Sequence, residues 1–263
     1  MNKWTNGFVE SATGRIAYNR TGRDLPPLLL AHGLTDSGLC WTRVARALEQ
    51  DFDIIMLDAR GHGCSARIGP DDRDDHGADI AVVIKALKLN RPAVMGHSVG
   101  ARTVAMFANQ FPELVSKVIL EDPPFRDMSS TSNRESRINA FRKQIEKFSS
   151  MKLEELVALG RKDYPKWHPD EIDAWAVSKQ QVDAEVMAWY DFTPWRQTID
   201  HIASPTLLIY GEAEKGGIVS KEIVEQACEI NQHISASQIE GAGHNIHREQ
   251  FDEYITVVRK FLL

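Results

Sequence analysis

Five short apolar runs punctuate this chain, each too short for a helix and suited to burial on both faces of a sheet. They are Leu28-Leu29-Leu30-Ala31, Ile54-Ile55-Met56-Leu57, Pro92-Ala93-Val94-Met95, Val118-Ile119-Leu120 and Thr206-Leu207-Leu208-Ile209-Tyr210. Helix-length segments separate them: Trp41 to Gln50, His76 to Leu87, Val99 to Gln110, Ile218 to Glu229 and Gln250 to Leu262. In the last of these, Phe251, Tyr254, Ile255, Val258, Phe261 and Leu262 recur three or four apart and form one apolar face. Short strands alternating with helices predict a mostly parallel sheet covered on both sides. Ahead of it, Gly7-Phe8-Val9-Glu10 and Arg15-Ile16-Ala17-Tyr18-Asn19 read as a hairpin around Ser11-Ala12-Thr13-Gly14.

The rhythm breaks between Phe125 and Arg196, which contain no convincing buried strand. Helical periodicity at Phe141, Ile145 and Phe148, then at Leu153, Leu156, Val157 and Leu159, predicts a helical insertion between two core strands. Residues 1–124 and 197–263 then form one α/β core, and 125–196 a helical cap. A chain of 263 residues is long enough to bury such a core.

The central chemical signal is Gly96-His97-Ser98-Val99-Gly100, a G-x-S-x-G segment between an expected strand and an expected helix. Small residues on either side of a serine allow the cramped bend that lifts its hydroxyl above the sheet. Ser98 is the candidate nucleophile, and the Val99 amide at the helix start is placed to meet negative charge developing on a bound carbonyl. His32-Gly33-Leu34 closes the first central strand, so the Leu34 amide is the candidate second donor of an oxyanion hole, with His32 pinning the loop. A serine hydroxyl needs a base. Gly241-Ala242-Gly243-His244, just before the last helix, supplies His244, and His247 reads as structural.

An acid should fix the histidine tautomer from a loop at the same sheet edge. Glu214, in the loop after Tyr210, is the favoured choice; Asp122, after an earlier strand, is the runner-up, and Glu212 stands third. Seven aromatics in the insertion (Tyr164, Trp167, Trp175, Trp189, Tyr190, Phe192 and Trp195) predict an apolar pocket under the cap.

These motifs together resemble the α/β-hydrolase fold family. The resemblance spans essentially the whole chain: His32-Gly33, Asp58-Ala59-Arg60-Gly61-His62-Gly63-Cys64-Ser65, Gly96-His97-Ser98-Val99-Gly100 and Gly241-Ala242-Gly243-His244. It implies an α/β fold with a mostly parallel central sheet, helices on both faces and a helical cap. It also implies an oxyanion hole at Leu34 and Val99, and a scaffolding role for Asp58 to Ser65. The family's usual acid position, three residues after the glycine that ends its strand, maps to Glu214, although aspartate is more frequent there; some members place the acid where Asp122 stands. Haloalkane dehalogenases and typical epoxide hydrolases resemble the scaffold but carry aspartate at the elbow, where this chain has Ser98.

The resulting expectation is serine-dependent hydrolysis of carboxylic esters through an acyl-enzyme, on a small apolar acyl or aryl ester. The alternatives are an acyl lactonase, a carbon-carbon-bond hydrolase and a catalytically weak ligand receptor. No cofactor and no metal are expected, since Gly211 to Gly217 is too loose for a P-loop and Cys40, Cys64 and Cys228 are widely spaced. A net charge of -6 without a basic block argues against nucleic acid as a partner. With no basic-then-apolar leader and no long apolar run, a cytoplasmic protein without membrane insertion is expected; oligomeric state is open.

Overall fold

A computed structural model describes residues 4–68, 75–127, 131–187, 190 and 192–263. The hairpin comes first, as β1 (Thr5–Ser11) and β2 (Gly14–Arg20), and is followed by β3 (Pro27–Ala31), α1 (Thr42–Leu48), β4 (Asp53–Leu57) and α2 (His76–Ala86). Next come β5 (Ala93–His97), α3 (Val99–Gln110) and β6 (Val118–Glu121). Among the described residues the insertion contains the α-helices α4 (Thr131–Ser150), α5 (Leu153–Asp163) and α6 (Pro169–Lys179). The chain returns to the sheet as β7 (Thr206–Tyr210), α7 (Lys221–Ile230), β8 (Ile234–Gln238), α8 (Ile246–Glu249) and α9 (Phe251–Leu262).

The strands lie in the order β1-β2-β4-β3-β5-β6-β7-β8. The β1-β2 and β2-β4 pairs are antiparallel and all later pairs are parallel. Strand alternation divides the core in two. Leu29, Ile55, Val94, Leu120 and Leu208 face α2, α3 and α7, whereas Leu28, Leu30, Ile54, Met56, Met95 and Ile119 face α1 and α9. Both faces are covered, so the strands read as unbroken apolar runs.

β8 was not among the expected strands. Its sequence, Ile-Ser-Ala-Ser-Gln, lies at the sheet edge with Ser235 and Ala236 exposed, so burial never demanded an apolar run there.

The insertion has a small core of its own, in which Leu156, Trp167, Ile172, Trp175 and Ala176 are buried together between α5 and α6. Trp195 behaves differently: it stacks on Phe125 with ring centroids 4.8 Å apart and belongs to the main core. Trp189 lies outside the described residues. Among the described residues, no helix is long and apolar enough to cross a membrane.

Candidate active site

The backbone of Ser98 lies in the left-handed half of the map, at φ 54° and ψ -122°, which costs a non-glycine residue about 1–3 kcal/mol. The two glycines of its motif are what make the bend possible. A Cβ on Gly96 would run into the Gly100 carbonyl, and one on Gly100 into the carbonyls of Ala31 and His32. β5, the bend and α3 can approach β3 this closely only because both positions lack a side chain.

Parallel register brings the next residue of interest alongside. His97 pairs with Glu121, and the Ser98 amide donates to the Glu121 carbonyl at 2.9 Å, so the residues leaving β5 and β6 stand side by side at one edge of the sheet. The residue leaving β6 is Asp122. Its carboxylate is fully buried and accepts from the Ile218 amide at 2.9 Å, the Val219 amide at 3.0 Å and His244 Nδ1 at 2.6 Å. An acceptor on Nδ1 fixes the proton there, which leaves Nε2 to accept from Ser98 Oγ at 3.1 Å.

The carboxylate at His244 is therefore Asp122, which corrects the favoured expectation of Glu214. Glu214 is exposed on a short 3-10 turn, Ala213–Lys215, beyond β7 and thus one strand further from β5 than Asp122. The loop after β7 does contribute to the site, but through the Ile218 and Val219 amides that hold Asp122. Glu212 braces the histidine loop from outside, accepting from the Gly241 amide at 2.5 Å and pairing with Lys215 at 2.9 Å.

Leu34 and Val99 line the same cavity as Ser98 and His244. His62 Nε2 donates to the Leu34 carbonyl, while His32 bridges the Gly33 carbonyl (2.8 Å) and the Ala59 amide (3.0 Å). Asp58 accepts from the Gly38 and Cys64 amides at 2.7 and 2.9 Å. These contacts give His32 its expected pinning role and make the Asp58 to Ser65 loop a scaffold.

Two further histidines support the site from below. His97 donates from Nε2 to the His244 carbonyl at 3.0 Å, and burial lowers its pKa to about 3, so it stays neutral. His247 binds Glu121 through Nδ1 at 2.8 Å. Burial opposes ionisation of Glu121, but His247 outweighs it and holds the carboxyl at about 2.

The cap is fastened by a buried ionic cluster that the sequence did not reveal. Lys179, at the end of α6, donates to Asp36 at 2.8 Å and to the Thr35 carbonyl at 2.8 Å; Arg248 of α8 reaches the other Asp36 oxygen at 2.8 Å. Burial works against the Asp36 charge, yet Arg248 and Lys179 keep its carboxyl well below the usual range. Asp36 follows Leu34 and Arg248 follows His244, so one cluster joins the inserted helices, the Leu34 loop and the histidine loop.

The cavity over Ser98 measures about 450 Å³. Tyr164, Trp167, Trp175, Tyr190, Phe192 and Trp195 line it, as expected for an aromatic cap. Its charge was not expected: among the described residues, Arg102, Arg126, Arg134, Arg137, Lys179 and Arg248 line it together with two acidic side chains, Asp36 and Asp127.

A strained serine, a histidine oriented towards it and a buried aspartate thus stand together at the carboxyl edge of the parallel sheet. The chain belongs to the alpha/beta hydrolase fold family, whose model matches residues 26–250. It is 27% identical to the 2-(acetamidomethylene)succinate hydrolase of Mesorhizobium japonicum, over 95% of this chain and 92% of that protein. It is also 27% identical to the N-formylmaleamate deformylase of Pseudomonas putida, over 100% of this chain and 98% of that one. Among solved structures, an E-2-(acetamidomethylene)succinate hydrolase superposes with a TM-score of 0.82 at 21% identity, covering 99% of both chains. The carboxylesterase CesB of Bacillus subtilis gives 0.75 at 22%, over 99% of this chain and 92% of that one. At these identities the superpositions speak for the fold alone.

Proposed function

We propose that this protein hydrolyses a carboxylic acyl bond through an acyl-enzyme on Ser98. The observation that carries the reading is the continuous path from Ser98 Oγ to His244 Nε2 (3.1 Å) and from His244 Nδ1 to Asp122 (2.6 Å), open to a cavity. His244 takes the Ser98 proton as Oγ attacks the carbonyl carbon, and Asp122 stabilises the imidazolium that results. The Leu34 and Val99 amides hold the oxyanion, His244 protonates the leaving group, and water activated by the same histidine releases the acid.

The leading reading of the scissile bond is an ester, whose apolar part is seated against the aromatic lining. A second reading, an acyl bond to nitrogen, is favoured by the two relatives matched over nearly their whole length, whose names specify an acetamidomethylene and an N-formyl compound. Both use the same nucleophile and differ in the leaving group that His244 must protonate.

The test is product formation on matched aryl esters, alkyl esters, acyl lactones and N-acyl compounds by the intact protein beside Ser98→Ala. Ser98-dependent turnover of esters above N-acyl compounds supports the leading reading, and the reverse ranking moves the protein to the second. Equal turnover by Ser98→Ala on every substrate would overturn both.

A further inference from the structure

Most of the cavity's charges are already engaged. Asp36 is shared by Lys179 and Arg248, while Asp127 is held by Arg196 of a neighbouring turn at 2.7 Å. Arg102, one helical turn beyond Ser98, donates to the Thr193 carbonyl at 3.0 Å. Arg126 and Arg137 are left facing the same cavity without a carboxylate within ion-pair distance among the described residues.

Their placement is specific. Arg126 is four residues past Asp122, on the segment leaving β6 and exposed at the cavity wall; Arg137 is half-buried on α4, with its guanidinium 5.5 Å from the Phe141 ring centroid. Burial and then the nearby charge of Arg126 weaken Arg137's hold on its proton, so the two cations act on each other. Two like charges beside apolar rings repel, and an anion set between them removes that cost while gaining charge-assisted hydrogen bonds.

We propose that Arg126 and Arg137 form a carboxylate-binding subsite, so that the substrate of Ser98 carries a free carboxylate on the cap side of its scissile bond. The planar guanidinium fork matches the two oxygens of a carboxylate, and the adjoining rings accept the carbon skeleton that bears it. This rests on the acyl-hydrolase reading of the site. It extends that reading from an apolar substrate to an amphiphilic one, with an acyl bond at one end and an anion at the other.

Calorimetric binding to Ser98→Ala, at low salt, tests the subsite without turnover, using glutarate, dimethyl glutarate and inorganic phosphate as probes. Glutarate is expected to bind at least about tenfold more tightly than either other probe. Arg126→Gln and Arg137→Gln, each introduced into Ser98→Ala, are expected to remove most of that preference, and Arg137→Lys to retain part of it. Equal binding of glutarate and its dimethyl ester, a preference for phosphate, or a glutarate preference untouched by both glutamine variants would overturn the proposal. Turnover of an aryl ester and an N-acyl compound, each neutral and carboxylate-bearing, by the intact protein beside Ser98→Ala is read separately. Ser98-dependent turnover without glutarate selectivity rejects the subsite alone, whereas selectivity without turnover rejects the hydrolase reading alone.

Discussion

At the scale of single residues, the site depends on which carboxylate meets His244. Asp122 is buried, holds two backbone amides and contacts Nδ1; Glu214 is exposed on a turn. Asp122→Asn should therefore lower kcat by roughly 10,000-fold, because the imidazole loses both its tautomer and its counter-charge. Glu214→Gln should stay within about twofold, as an exposed substitution without a hydrogen-bond or ion-pair partner among the described residues. Steady-state kinetics on one aryl ester separates them, and a large loss in Glu214→Gln would contradict the geometry. The meeting of Ser98 with His244 was legible because glycine patterns mark the tight backbone bends that bring the two side chains together. The acid was not, because Asp122 and Glu214 each follow a strand, and only the spatial order β5-β6-β7 shows which strand is the neighbour.

At the scale of elements, the alternating strands, covering helices and helical insertion were readable because apolar periodicity records burial. β8 escaped since an edge strand with exposed faces leaves no such record. The fastening of the cap escaped for a different reason. Asp36, Lys179 and Arg248 are distant in sequence and individually ordinary, and become a cluster only when α6 and α8 meet the loop after β3. Removing the carboxylate that Lys179 and Arg248 share leaves two buried cations without their ion-pair partner. Asp36→Asn should cost about 3–5 kcal/mol of stability, measured by denaturant unfolding. A loss under about 1 kcal/mol, typical of an exposed pair, would show that the cluster does not hold cap and core together.

At the scale of the whole molecule, two buried groups beneath the site make stability depend on pH in the same direction. His97 has its pKa lowered from 6.5 to about 3 in the fold, so the unfolded chain binds the extra proton between those values. Its contribution is complete above pH 6.5 and is lost as pH falls toward 3. Glu121, lowered from 4.5 to about 2, adds a contribution that is complete above pH 4.5 and is lost as pH falls through 2. Thermal unfolding should show Tm declining on acidification from neutral pH, with a steeper fall below pH 4.5. His97→Gln, which keeps a donor for the His244 carbonyl, should flatten the segment between pH 6.5 and 4.5; an unchanged profile would show that His97 does not carry it.

The fold places Ser98 and Asp122 at the carboxyl ends of β5 and β6 and His244 in the loop before α8, beneath a cavity lined in part by the inserted helices. The central claim is that Ser98 Oγ is the nucleophile that takes up the acyl group. Its most direct test is intact-mass and peptide mapping after exposure to a serine-directed fluorophosphonate. The account predicts a single adduct, located on Ser98, absent from Ser98→Ala and strongly slowed in Asp122→Asn. An adduct on another residue, or full ester turnover by protein whose Ser98 is blocked, would contradict it.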